Sequence, residues 1–195
     1  PRFAHQPQRS GRTLHADWLQ KLDDKAALSK EEFADHFRRK YPRSPMPVWI
    51  AVELLDFGPL SHLLSGLRGR DQGEIAVKLG VSRANLLVSW VRSLAFVRNV
   101  CAHHARLWNR PLIEQPRLPA PGEIPLLDHL ATSPYVNRRV YSALAIARYL
   151  LLATNPRTKW PTRLRDHIAT FPRSQLVSIK TSGFPPDWNT LPLWQ

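Results

Sequence analysis

The chain has 195 residues, 43% hydrophobic and 22% charged, so it can bury one sizeable core and is too balanced in composition for wholesale disorder. Its formal charge of +13 at pH 7 favours an anionic partner, either nucleic acid or an anionic membrane surface. No apolar run approaches the roughly 20 residues that cross a bilayer, and no apolar signal core is present, so we expect a cytoplasmic protein without a membrane segment.

The N-terminal part of the sequence predicts an arm followed by two helices. Residues 1–16 are basic and aperiodic, and because residue 1 is proline we expect either a loosely ordered arm or the remnant of a missing upstream segment. A short helix is predicted over residues 17–27. Ser29, with Glu32 three residues later, predicts a capping box for the second helix. The apolar stripe of that helix comprises Phe33, Phe37 and Tyr41.

Shorter helices are predicted next. Residues 47–56 have a helical period, and Glu53 would be a carboxylate inside this apolar helix. A further helix is expected over residues 59–67, whereas the glycine-rich segment 66–73 is predicted as a loop. Residues 75–79 then form a short helix before a turn.

One long helix is predicted in the middle of the chain, where residues 83–109 keep a helical period until Pro111. Every third or fourth residue from Leu87 is apolar or a core-compatible side chain, which predicts the face toward the core. This stripe comprises Leu87, Trp90, Leu94, Val97, Cys101, His104 and Trp108. A second, cationic face comprises Arg92, Phe96, Asn99, His103, Arg106 and Arg110, with Arg98 beside it.

The two faces separate two adjacent histidines. His104 falls on the core face, where a hydrogen-bonded structural histidine is expected. His103 shares a face with Asn99, and Arg98 can reach the same space. Histidine moves protons near neutral pH and arginine binds phosphate oxygens, so these three residues suit RNA cleavage without a metal. A solvated polar helix face without chemistry is the alternative.

The C-terminal part combines a connection, a helix and a tail. Residues 111–130 are proline-rich and aperiodic, which predicts a long connection. A helix is expected from near Pro134, with one apolar face and its arginines elsewhere. The predicted apolar face comprises Val140, Leu144, Ala147 and Leu151, and the arginines are Arg138, Arg139 and Arg148. Prolines and aromatic residues alternate over 155–195, so we expect a C-terminal helix and tail that pack on a helical domain spanning 17–154.

A helix-turn-helix is the main competing interpretation. Residues 73–91 have an alanine in a first helix, Gly80 at the turn and Ser82 capping a second helix, as in many DNA-binding repressors. The second helix, however, continues as one periodic stripe toward Trp108. A helix that also forms the centre of the core would be difficult to place in a major groove.

Several segments of the chain resemble a known family. The string VRNVCAHHARLWNR, residues 97–110, resembles the signature of the Abi family of bacterial abortive-infection proteins. Flanking segments resemble the family in the same order: SKEEFADHFRRKY, PVWIAVELLDFG, VSWVRSL and GFPPDWNTLPLW. The resemblance covers roughly residues 29–195. The Abi family in turn resembles the HEPN superfamily of helical ribonucleases, whose motif is arginine, commonly followed by asparagine, and then histidine four to six residues later.

This resemblance implies an all-α, HEPN-like bundle and a metal-independent endoribonuclease in anti-phage defence. Arg98, Asn99 and His103 match the motif, and His104 also falls within its spacing. By resemblance His103 would assist attack of a ribose 2′-hydroxyl on the adjacent phosphate, while Arg98 and Asn99 hold that phosphate. The residues expected to guide RNA are Arg92, Arg106 and Arg110, and those expected to support the site are Glu53 and His104.

The same resemblance implies partners but no cofactor and no metal. HEPN proteins generally form homodimers in which two motifs face one another, so a composite site is expected. A restraining protein or a structured RNA antitoxin is also implied. The superfamily includes inactive members, which leaves a catalytically silent RNA-binding module as a further alternative.

One cysteine, Cys101, cannot form an internal disulfide, and no Cys/His cluster has zinc-ligand spacing.

Overall fold

A computed structural model describes residues 13–131, 136–172 and 174–195 of the chain. These residues form α-helices and short 3-10 turns without a β-strand, which confirms the predicted all-α class for the described ranges. The chain divides into two compact units, residues 1–72 and 73–195. The α-helices are α1 (Leu14–Leu28), α2 (Glu32–Lys40), α3 (Val48–Ala51), α4 (Phe57–Gly66), α5 (Gly69–Lys78), α6 (Ala84–Ala102), α7 (Val140–Thr154) and α8 (Trp160–Ala169).

The first unit is built on contact between α1 and α4. Thr13 caps α1, because its hydroxyl accepts the backbone N–H of Ala16 at 3.1 Å. Trp18 and Leu22, one turn apart, are buried in a core cluster with Ala51. The indole of Trp18 donates to the Pro59 carbonyl at 3.1 Å, so burial of the ring leaves its N–H satisfied. Helix α1 begins at Leu14, three residues before the predicted start at residue 17.

Helix α2 is joined to α1 by a different device from the predicted capping box. Ser29 is the C-terminal cap of α1, and its hydroxyl accepts the N–H of Glu31, the residue before α2. Arg38 instead holds the two helices together. Its guanidinium donates to the carbonyl of Ala26 and, at 2.7 Å, to that of Ser29. These carbonyls end α1, where a cation is favourable because the helix dipole is negative there.

Two further expectations in the first unit were wrong. Glu53 is exposed in a 3-10 turn, Val52–Leu54, so it is not a carboxylate inside an apolar helix. The segment 66–73 is not a loop, because α5 already begins at Gly69. The side-chain amide of Gln72 stabilises the first turn of α5 against the end of α4, because it donates to the carbonyls of Leu64 and Ser65.

The second unit packs α6 against α7. Leu86, Leu87 and Trp90 of α6 are almost fully buried, and so is Tyr141 of α7. Trp90 contacts the ring of Tyr149 edge-on, with 5.9 Å between ring centres. Burial of an aromatic or leucine side chain stabilises a fold by about 1.5–3 kcal/mol, so these side chains carry much of the stability of the unit.

Helix α6 ends earlier than the predicted range 83–109, and the backbone shows why. The N–H of His104 donates to the Cys101 carbonyl at 3.0 Å. The N–H of Ala105 donates to the Val100 carbonyl, also at 3.0 Å. This pair of bonds is the Schellman motif, which ends a helix when the first residue after the C-terminal cap has a left-handed backbone. His104 has φ 51° and supplies that conformation.

A long connection follows α6 and runs back along it, but it ends at residue 124 and not at the predicted 130, because Pro125–Leu130 form a 3-10 helix. We call residues 111–124 the return segment. Glu114 pairs with Arg92 at 3.4 Å, and the indole of Trp90 donates to the Arg117 carbonyl at 2.7 Å. Glu123 reaches Arg83, one residue before α6, with a bidentate contact. The contacts move from the middle of α6 to its start, so the segment is antiparallel to the helix.

Helix α7 differs from its prediction both in where it begins and in which of its side chains are buried. It begins at Val140, not near Pro134, and residues 132–135 lie outside the described ranges. Of the predicted apolar face only Val140 is buried. The buried residues are Val140, Tyr141, Ser142, Ala143, Ala145, Ile146 and Arg148. The helix is therefore covered on more than one side, a situation in which a single apolar stripe cannot identify the core face.

The tail packs on α7 through aromatic rings and one buried arginine. Phe184 and Trp194 lie 4.8 Å and 6.2 Å from the Tyr141 ring, centre to centre. Arg148 is buried, and its Nε donates to the Leu193 carbonyl at 3.0 Å. Burial lowers the pKa of Arg148, although arginine stays charged in proteins. The expectation that this arginine lies away from the packed surface was therefore wrong.

Candidate functional site

The polar side chains of interest lie at the C-terminal end of α6. Arg98 and Asn99 are both exposed there, and Arg98 Nη1 donates to Asn99 Oδ1 at 3.2 Å. Because the amide oxygen accepts from arginine, the amide NH₂ of Asn99 can donate to another group. The pair therefore presents guanidinium and amide donors together, as a phosphate requires.

His103 follows directly as the cap of α6. Its backbone N–H donates to the Asn99 carbonyl at 3.0 Å, which fixes the spacing of the two residues by one helical turn. The side chain is exposed. The structure thus places Arg98, Asn99 and His103 in the last turn of α6 and its cap, whereas the sequence predicted them in the interior of a longer helix.

His104 does not occupy the predicted core position. It is exposed, and its left-handed backbone turns the chain away from the axis of α6. Cys101, expected on the same buried stripe, is exposed as well. The buried side chains of the second half of α6 are instead Ser93, Ala95 and Val100. The helix end consequently exposes two adjacent histidines.

The arginines predicted to guide RNA have different surroundings. Arg92 is paired with Glu114 of the return segment, and the Arg110 guanidinium lies 6.0 Å from the centre of the Phe96 ring. Arg106 is exposed. The return segment therefore covers part of the predicted cationic face. The face remains open toward its C-terminal end, where Asn99 and His103 are.

The charge of this region is uniformly positive along the chain. Residues 83–113 contain five arginines and two histidines but no aspartate or glutamate. The acidic residue that follows, Glu114, is used by Arg92. Such a stretch attracts an anion, and exposed cations contribute to this attraction at distances up to about 8–10 Å at physiological salt.

Glu53, expected to support the site, belongs to the first unit. There it lines a groove of about 470 Å³ with Asp24, Lys25, Glu31 and Asp56. Its supporting role at the end of α6 stays a prediction.

The same structure bears on the helix-turn-helix alternative. Gly80, with φ 69°, does form a turn between α5 and α6. Ser82 and Arg83, at the start of the would-be recognition helix, both bind Glu123. The Arg83 hydrogen bond is the main cause that lowers the pKa of Glu123 to about 2. Two of the side chains best placed to contact DNA are thus engaged, whereas Asn85 is exposed.

Neither a metal cluster nor a membrane span is present in the described ranges. No three side chains among the histidines, cysteines and acids of these ranges are grouped so that they could hold a metal ion. No described helix combines the length and the apolar character needed to cross a membrane.

The exposure of His104 was not predicted, and little in the sequence announced it. Glycine is the usual residue at the left-handed position that ends a helix, and it does occupy the corresponding position at Gly80. After α6 that position holds histidine. The apolar period also continues through Leu107 and Trp108, although Trp108 packs near Phe171 and donates to the Ser178 carbonyl.

Comparison with known proteins identifies one family. A family model described as Abi-like protein matches residues 2–109, more than half of the chain. The matched range includes α6 and the three residues at its end, and it starts before the predicted resemblance and ends earlier. Resemblance over the remaining residues stays a prediction. No curated protein and no solved structure matches the chain.

Proposed function

Because the chain belongs to the Abi-like protein family, we propose that it acts in bacterial abortive infection as a metal-independent endoribonuclease of the HEPN type. The observation that carries the proposal is the arrangement at the end of α6. There an Arg98–Asn99 hydrogen bond of 3.2 Å lies one turn from an exposed His103. The surrounding sequence is cationic, as an RNA-binding site requires.

In the proposed reaction, His103 removes the proton of a ribose 2′-hydroxyl. The 2′-oxygen attacks the adjacent phosphorus, the bond to the 5′-oxygen breaks, and that oxygen takes up a proton. The products are a 2′,3′-cyclic phosphate and a 5′-hydroxyl, so no oxidant or water is consumed. Arg98 and the Asn99 amide donate to the phosphate oxygens as negative charge develops on them.

The site is proposed to be completed by a second copy of the chain. The HEPN resemblance implies that two Arg98–Asn99–His103 sets face one another across a homodimer. Cleavage needs both a base and an acid, and His103 of each copy would take one of these roles. The proposed regulators are a restraining protein or a structured RNA antitoxin, which would bind the same cationic surface.

The first test is cleavage of labelled single-stranded RNA in EDTA. We expect the parent chain to cut, and His103→Ala to cut at least about 100-fold more slowly, because general acid–base catalysis is worth that much. The matched control is His167→Ala, which removes an exposed histidine near the end of α8 and should leave the rate unchanged. Melting temperatures of both variants should match the parent, since both side chains are exposed.

Other outcomes would refute the proposal. Equal cutting by parent and His103→Ala would remove His103 from the chemistry. RNA binding without cleavage would indicate the silent module. Tight, sequence-dependent binding of duplex DNA without cleavage would restore the helix-turn-helix, despite the engagement of Ser82 and Arg83 by Glu123.

A further inference from the structure

A second surface, on the first unit, combines aromatic rings with cations. It covers residues 37–49, from the second half of α2 to the start of α3, and we call it the aromatic–basic surface. Tyr41 is 46% exposed and Trp49 is 72% exposed, both unusual for side chains of this size. Tyr41 was predicted as part of the apolar stripe of α2, so its exposure departs from that prediction.

Local structure holds Tyr41 at the surface. Its backbone N–H donates to the Phe37 carbonyl at 2.8 Å and closes α2, and Pro42 prevents the helix from continuing. The rings of Phe37 and Tyr41 lie 5.2 Å apart. Arg38, between them in sequence, is fixed to the end of α1 by its contacts with Ala26 and Ser29. The tyrosine ring therefore lies against Phe37 at the end of α2.

A cleft of about 290 Å³ opens beside this ring. Phe37, Tyr41 and Met46 form its apolar walls together with two prolines, and its charged lining residues, Asp23 and Arg38, are opposite in sign. Met46 also packs against the core cluster of the first unit, which makes this wall firm. These apolar walls can contact the apolar face of a base that stacks against Tyr41.

The segment on one side of the cleft carries several cations. Residues 38–43 contain four cations and no acid. Lys40 Nζ lies 5.6 Å from the centre of the Tyr41 ring, and Arg43 is exposed two residues further on. Arg39 pairs with Asp35 at 3.2 Å, but its side chain is 71% exposed, and such a surface pair is weak. An anion would thus be attracted to the rim of a cleft whose interior suits a flat apolar group.

We propose that the aromatic–basic surface binds single-stranded RNA, with one unpaired base stacked against Tyr41 in the cleft and another base of the same strand stacked on Trp49. Lys40 and Arg43 contact phosphates of this strand. Duplex RNA does not bind in this way, because paired bases hide their faces within the helix. The proposal concerns binding alone and stands whether or not the end of α6 cleaves RNA.

The test measures fluorescence anisotropy of a labelled twelve-nucleotide single strand with the full chain carrying His103→Ala, so that no RNA is cut. We expect Tyr41→Leu and Trp49→Ala each to weaken binding roughly fivefold or more, the loss of one stacked base. Tyr41→Phe keeps the ring and should bind like the parent. Leu176→Ala, which removes an exposed apolar side chain in the second unit, is the matched control and should change nothing.

The salt dependence tests the cations separately. Lys40→Gln and Arg43→Gln should each lower the slope of log affinity against log salt by about 0.7, the value for one single-strand phosphate contact. Arg163→Gln, an exposed arginine of α8, removes the same charge elsewhere and should leave the slope unchanged.

Three results would overturn the proposal. One is unaltered RNA affinity in Tyr41→Leu and Trp49→Ala with melting temperatures like the parent. Another is binding to phosphatidylserine vesicles that depends on these residues while RNA binding does not, which would make the surface a membrane contact. The third is a change of oligomeric state in the same variants, which would assign the surface to a second copy. If the parent chain does not cleave RNA, the proposed enzyme is refuted, but the proposed binding site is not.

Discussion

His104 shows how one residue decides where the candidate site ends. A left-handed conformation costs a residue with a Cβ roughly 1–2 kcal/mol, and glycine avoids that cost. The chain accepts this cost directly after the histidine that we propose as catalytic. The benefit is structural: the helix stops at this point, and both imidazoles are left in solvent instead of on a buried stripe.

Two neighbouring glycine substitutions should therefore have opposite effects on stability. His104→Gly relieves the left-handed backbone, so we expect the free energy of unfolding to rise by about 0.5–1 kcal/mol. His103→Gly, at φ −91°, relieves nothing and adds freedom to the unfolded chain, so we expect a fall of similar size. Urea unfolding measures both. A rise for both variants, or a fall for both, would contradict the role given to the left-handed backbone at the helix end.

At the scale of elements, periodicity predicted the first half of α6 and failed in the second. Leu87 and Trp90 are buried as expected. The apolar residues that continue the period past Ala102 are used elsewhere, since Trp108 contacts the tail. A pattern along the sequence shows that a residue is apolar but not which surface buries it, so the end of α6 could not be predicted. The role of the Arg98–Asn99–His103 set stays a prediction.

The packing of the tail on α7 contains a buried hydrogen-bond chain. The Trp194 indole donates to the Tyr141 hydroxyl at 3.2 Å, and that hydroxyl lies 2.9 Å from His129 Nε2. The indole nitrogen can only donate, and the tyrosine hydroxyl can donate in turn to Nε2 when the imidazole is neutral and carries its proton on Nδ1. Burial lowers the pKa of His129, and burial raises the pKa of Tyr141 to about 12. Both shifts favour the neutral forms of the two side chains.

Stability should consequently decrease in mild acid. The pKa of His129 is lower in the folded chain than its value of about 6.5 when unfolded, so the unfolded state binds more protons between the two values. We expect the free energy of unfolding to fall as pH drops below about 6.5 and to level off below the folded pKa. Urea unfolding at pH 7.5 and 5.5 measures the fall.

The control for that measurement is His129→Gln, in which the difference between the two pH values should be smaller than in the parent. An equal pH dependence in parent and variant would show that protonation of His129 does not couple to the packing of the tail.

At the scale of the whole molecule, the fold class could be predicted, whereas the partner stays a prediction. The helical class followed from periodic apolar spacing and is confirmed for the described ranges, and the charge of +13 favours an anionic partner that nothing yet tests. The division into two compact units was not predicted, because an expectation of one core rests on length alone. The aromatic–basic surface was missed for a related reason: the aromatic residues of α2 were interpreted as core, although the cations between them and the prolines after them indicate an exposed segment.

The proposed composite site makes activity depend on concentration. If two chains supply one site, the specific rate of RNA cleavage should fall on dilution below the dissociation constant of the dimer. It should recover when the same chains are concentrated again. Analytical ultracentrifugation over the same range gives the dimer fraction. A specific rate that stays constant while the chain becomes monomeric would exclude the second copy from the chemistry.

The exposed position of Cys101 also gives the experimenter a means of observation. It is the one cysteine in the sequence, and it lies within the last turn of α6, three residues after Arg98 and two before His103. A thiol-reactive dye would therefore label the protein at a single known point without any engineering. Its emission would report the arrival of RNA at the helix end, and an attached spin label would report the distance to the same cysteine in a second chain.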